Sequence, residues 1–168
     1  MSVLRNFEYY KEEIELALIQ NAGVEIELYS IVASMIRESP NTSPLSIRDV
    51  SARRKSDISM KFYGQAGFPD FVVLAREKDS NAKLYGCIEV KMPTVSLDGN
   101  DEQLNGHIQS FKKVLYTNGI RWIFFENNIK NVLFDIELGD INKSQILWKS
   151  QKYWDDLLRC IYQIKWDL

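Results

Sequence analysis

Long apolar runs are missing from this chain: charged residues interrupt every hydrophobic stretch, which excludes a transmembrane helix. The opening Met1-Ser2-Val3-Leu4-Arg5-Asn6-Phe7-Glu8 lacks the apolar core of a signal peptide. Cysteine is scarce. Cys87 and Cys160 lie far apart in apolar surroundings and read as buried thiols of a cytoplasmic protein, not as a disulfide framework. Glycine (8) and proline (4) are few, and no repeat or low-complexity stretch stands out. The 168 residues therefore read as a single domain over 1–168, enough for one good core and too few for two. An excess of positive charge is also missing: the net charge is −2 and the pI about 5.5. That counts against a surface that grips nucleic acid all over, and leaves room for a local basic patch.

What is present is a soluble composition, 45% hydrophobic and 26% charged, with clear periodicities. Ile14, Ala17 and Leu18 mark a helix over about 7–20. Asn21-Ala22-Gly23 punctuates it, and Leu28, Ile31, Val32, Met35 and Ile36 then recur at helical spacing. Two helices and one kinked helix fit equally well. Residues 39–44 are a loop by composition, and 58–63 alternate like a strand. Residues 71–74 and 84–91 read as strands, the first apolar on both faces, with a polar turn over 77–83. A helix is expected over 101–116, closed by Asn118-Gly119, then strands over 120–125 and 132–136. Trp154, Leu157, Leu158, Ile161 and Ile164 form the stripe of a final helix, 153–166. The order helix, strands, helix, strands, helix predicts an α/β or α+β sandwich.

One hairpin carries the chemistry. Asp70 opens its first strand; Glu89 and Lys91 close the second. The midpoint between 70 and 89 falls at Asp79-Ser80, inside the polar turn, so an antiparallel register sets Asp70 beside Glu89. Glu89 and Lys91, two apart on one strand, share a face. Two carboxylates and a lysine thus converge at the open end of an apolar hairpin. Burying two like charges is costly unless a cation sits between them, and a hard divalent ion accepts such a place. An ordinary Asp–Lys–Glu salt bridge on a surface hairpin has the same spacing.

Gly67-Phe68-Pro69-Asp70 followed by Ile88-Glu89-Val90-Lys91 resembles the Pro-Asp … Glu-x-Lys signature of the PD-(D/E)xK nucleases. The resemblance runs from about Val24 to Phe134 and implies a restriction-endonuclease-like mixed sheet flanked by helices. It implies that Asp70 and Glu89 bind Mg²⁺, with Mn²⁺ able to substitute, helped by the main-chain carbonyl of Val90. Lys91 would position the attacking water and steady the charge on phosphorus. The activity implied is metal-dependent phosphodiester hydrolysis, on DNA more than RNA. The alternative is a non-catalytic nucleic-acid-binding or assembly module of the same fold; an unrelated small-molecule binder is a further rival.

The family also places an acidic residue on the leading helix. Glu25 lies three and four residues before Leu28 and Tyr29 and so projects inward, whereas Glu27 is rotated away but remains a contender. Gln103-Leu104, followed by Ile108 and Phe111, resembles the Gln-Leu-x-x-Tyr stretch of restriction-type members, although Gly106-His107-Ile108 stands where the tyrosine is common. His107, the single histidine, reads as an incidental and partly exposed helix residue. Arg53, Arg54, Lys55 and Lys61, with Arg48, are candidates for a phosphate-facing slope. With no separate recognition domain, specificity would need loops, a second subunit or a partner protein. A homodimer is the expectation for double-strand cleavage, and the apolar stripe of the last helix could either complete the core or pair between subunits.

Overall fold

Asn6 opens the first helix by turning its side-chain oxygen onto the N–H of Glu8 at 2.9 Å, which satisfies one free amide of the helix start. Helix α1 (Phe7–Asn21) ends where Ala22 and Gly23 both take left-handed backbone, φ 52° and 62°. The chain thereby breaks into a separate helix, α2 (Glu27–Arg37). The computed structural model describes residues 6–39, 44–99, 101–143 and 145–168. Most of the loop expected over 39–44 lies outside the described residues, as does Asn100.

Six strands form one sheet in the order of the chain: β1 (Leu45–Asp49), β2 (Phe71–Ala75), β3 (Leu84–Val90), β4 (Lys113–Thr117), β5 (Arg121–Glu126) and β6 (Asn128–Glu137). Neighbours are antiparallel except β3 and β4, which are parallel. A parallel pair needs a crossover, and helix α3 (Asp101–Phe111) supplies it. A small hairpin, β7 (Gly139–Asn142) and β8 (Gln145–Trp148), leads to the last helix, α4 (Gln151–Gln163).

Side chains alternate across the sheet with period two, so each central strand feeds two cores. Phe71, Val73, Ile88, Leu115 and Trp122 pack against α1, α2 and α4. Val72, Leu74, Cys87 and Val114 pack against Leu104, Ile108 and Phe111 of α3. The architecture is the α/β fold that the sequence predicts, a mixed sheet flanked by helices on both faces. No helix among the described residues is long and apolar enough to cross a membrane.

Two expectations are corrected, and one open alternative is decided. The helix predicted over 101–116 stops at Phe111: Lys112 turns left-handed at φ 66°, and the residues after it form β4, buried throughout. Leu115 lies four residues beyond Phe111 and so fits a helical stripe, but it is a central-strand residue. Residues 58–63 are not a strand. Ser59 is buried, donates to the Arg54 carbonyl at 2.6 Å and accepts from the Ser56 amide at 2.9 Å. These local bonds hold a short 3₁₀ turn, Met60–Phe62, while Ile58 stays 73% exposed. Finally, the apolar stripe of α4 belongs to the chain's own core. Trp154 is fully buried and stacks on Phe7 with ring centroids 5.3 Å apart. That stripe is not available to a second subunit.

Candidate active site

The register of the β2–β3 hairpin decides what meets at its open end. Phe71 pairs with Ile88 and Val72 with Cys87, and a bulge after Val73 absorbs one residue toward the turn. Carried one residue outward, this register sets Asp70 beside Glu89. The amide of Val90 donates to Asp70 Oδ2 at 2.7 Å, which fixes the carboxyl against the edge of β3. Glu89 and Lys91 share a face as expected: Lys91 Nζ donates to Glu89 Oε1 at 2.7 Å. Both carboxylates are buried.

Two helices close over them from opposite sides of the sheet. From the α2 side, the Tyr29 hydroxyl donates to Asp70 Oδ1. Glu25 Oε1 lies 3.3 Å from the same hydroxyl and competes for its single proton. Glu25 sits in the turn before α2, not inside the helix. Glu27 points elsewhere and accepts from Asn21 at 2.6 Å. From the α3 side, Gln103 Nε2 donates to Glu89 Oε1 at 2.9 Å. One turn further along α3, His107 Nε2 approaches Glu89 Oε2 at 3.3 Å. His107 is 0% exposed, against the expectation of a partly exposed, incidental residue.

The electrostatics follow from three carboxyl groups, of which Glu89 and Glu25 face the one ammonium, Lys91. Burial, together with the charge of Glu89, pushes the Asp70 carboxyl up to about 7, against the opposing hydrogen bonds from Tyr29 and Val90. Burial also works to raise Glu89, but contact with His107 and Lys91 outweighs it and holds this carboxyl below its usual range. Burial raises Glu25, with Lys91 opposing and Glu89 adding to the rise. Desolvation alone would lower Lys91; the Glu89 charge overcomes it and keeps the ammonium more firmly protonated than usual. The pair of buried carboxylates is thus short of positive charge.

That shortage is the test of fit for a cation. Among the described residues no three His, Cys, Asp or Glu side chains are grouped so as to hold an ion by themselves. A soft metal is a poor fit for carboxylate oxygens such as those of Asp70 and Glu89. A hard ion held by two carboxylates and completed by water and main-chain oxygen is a good one, since magnesium keeps much of its water.

The basic candidates divide. Val50 donates its amide to the Asp70 carbonyl at 2.9 Å, and Arg53 follows with its amide on the Val50 carbonyl, so this segment leaves from the carboxylate end. Arg53, Arg54 and Lys55 are exposed there, with Lys55 Nζ 4.1 Å from the Tyr63 ring centroid. Lys61 does not belong with them. Its Nζ donates to the Ser80 carbonyl in the hairpin turn, at the opposite end of β2, about 16 Å of strand from Asp70. Beside Gln103 an open groove of about 720 Å³ is lined by Gln65, Ala66, Glu102, Asn105 and Gly106.

Sequence reasoning passed over Tyr29 and His107. A signal existed for His107, because Gln103 and His107 are four residues apart and share a helical face.

No family model matches the sequence, and no curated protein does. Among solved structures, the fold is similar to a chain in a cryo-electron-microscopy structure of a DrdV–DNA complex, with a TM-score of 0.59 at 14% identity. The match covers 96% of this chain and 14% of that one, so this chain spans a small part of that protein.

Proposed function

We propose that this chain is a metal-dependent nuclease of the PD-(D/E)xK kind, hydrolysing phosphodiester bonds in nucleic acid, with DNA the preferred substrate. The observation that carries the proposal is the meeting of buried Asp70 and Glu89 at one hairpin end, with Lys91 on Glu89. Similarity of fold to a protein complexed with DNA supports the choice of substrate. Asp70 and Glu89 would hold Mg²⁺ or Mn²⁺ with the Val90 carbonyl as a further oxygen. Such an ion polarises a phosphoryl oxygen and lowers the pKa of bound water.

The chain's own residues supply the rest. Lys91 is an ammonium at neutral pH, so its work is to hold a water or a phosphate oxygen and to offset the negative charge that builds on phosphorus. Tyr29 holds Asp70 and so is a positioning residue, while Glu25, beside the same hydroxyl, adds a further carboxyl that faces Lys91. Gln103 holds Glu89 Oε1 at the wall of the open groove, where a strand of nucleic acid has access. Arg53, Arg54 and Lys55 are left as the phosphate contacts. The test is incubation of supercoiled, linear and single-stranded DNA, and of RNA, with Mg²⁺, Mn²⁺ or EDTA. Cleavage that needs the divalent ion and is lost in Glu89→Gln supports the proposal; cleavage unaffected by EDTA defeats it.

A further inference from the structure

His107 is the feature of this site that stability does not explain. It is 0% exposed, on a helix that buries Leu104, Ile108 and Phe111 in the same core. Neither of its ring nitrogens has a hydrogen-bond partner in line. An aliphatic residue there would bury without that cost, and a buried polar group left unsatisfied calls for a cause. The cause lies 3.3 Å away, where Glu89 Oε2 is equally buried and equally without an aligned donor.

The two oxygens of Glu89 are treated differently. Oε1 takes Lys91 at 2.7 Å and Gln103 at 2.9 Å, and Gln103 itself lines the open groove. Oε2 is buried, has no aligned donor, and lies 3.3 Å from His107 Nε2. An ionised carboxylate offers only lone pairs, so the imidazole must present Nε2–H to it. Gln103 and His107 stand one helical turn apart, and α3 therefore addresses both oxygens with one face.

We infer that His107 is a positioning residue of this site, whose Nε2–H holds Glu89 Oε2 inward and thereby keeps Oε1 as the outward oxygen for a divalent cation. The inference rests on the metal-site reading above. Carboxylate ligands held in this way lose affinity when the holding group is removed, on the order of ten- to a hundredfold.

Calorimetric titration of the full chain with Mn²⁺ tests it, using the wild type, His107→Gln, His107→Asn and His107→Leu. Glutamine brings an amide N–H to the place of Nε2; asparagine brings one only to the place of Nδ1. The expected result is wild-type-like affinity for His107→Gln and a loss of about ten- to a hundredfold for His107→Asn and His107→Leu. The leucine variant, apolar in an apolar core, keeps its melting temperature and answers for the asparagine variant if that one unfolds. Equal affinities in all four proteins would overturn the positioning role. So would losses that track melting temperature with His107→Gln included, which mark a packing residue. A wild type that binds no Mn²⁺ overturns the metal-site reading, and this inference with it, before any variant is compared.

Discussion

Asp70 and Glu89 are buried carboxyls, the Lys91 ammonium lies on Glu89, and the energetic consequence can be measured residue by residue. Asp70→Asn removes one of two like charges, while its amide can still accept from Val90 and donate to the Tyr29 oxygen. The metal-free variant should melt no lower than the wild type. Mn²⁺ should raise the melting temperature of the wild type, since a ligand of the folded state stabilises it, and should leave Asp70→Asn unmoved. Equal stabilisation of both would remove Asp70 from the site. Lys91→Met separates a second role: metal affinity persists, while turnover falls about a hundredfold or more, the scale of one positioned group. Glu25→Gln removes a carboxylate that faces Lys91 beside the Tyr29 hydroxyl and should cost about ten- to a hundredfold in activity. Glu27→Gln touches only the contact with Asn21 and should cost nothing; the reverse outcome would mean that Glu27 is the helix acid.

At the scale of elements, the hairpin was legible because its register needs only a turn and a count. Positions 70 and 89 are equidistant from Asp79-Ser80, and the observed pairing of Phe71 with Ile88 preserves that sum despite the bulge. The boundary between α3 and β4 was not legible. Phe111 and Leu115 satisfy a helical period, and only the need of β3 for a parallel neighbour makes a strand of 113–117. Close approach of β3 to β4 is visible at Gly86. A methyl group there would stand 2.5 Å from the Lys113 carbonyl oxygen and 2.8 Å from a ring carbon of Trp166. Gly86→Ala should therefore destabilise by about 1–3 kcal/mol through overpacking, read from urea unfolding with an unchanged m-value. A neutral result would show that β4 and the C-terminal segment can shift freely.

For the whole molecule, the question is what the last helix covers. Its apolar stripe was equally suited to a core or to a second subunit, because a buried face reads the same whichever chain buries it. In the structure Trp154, Leu157 and Ile161 pack within the core formed by α1, α2 and one face of the sheet. Trp154→Ala should cost about 3–5 kcal/mol of folding stability, as large aromatic truncations in a core do, without any change in sedimentation coefficient at native temperature. A fall in sedimentation coefficient without loss of stability would put the tryptophan in an interface.

The sequence alone determined the spacing of the acidic hairpin, the shared face of Glu89 and Lys91, and the alternation of helices and strands. Each of these follows from a local period or a symmetric count along one segment. Tertiary structure decided the rest. Lys61 was drawn away to the hairpin turn, Tyr29 and His107 were drawn in, and α4 was folded onto its own chain. These outcomes depend on which distant segment supplies a partner: 41 residues separate Tyr29 from Asp70, and His107 meets Glu89 only because α3 crosses over the sheet. A single residue's period cannot encode the surface that another element will bring to it.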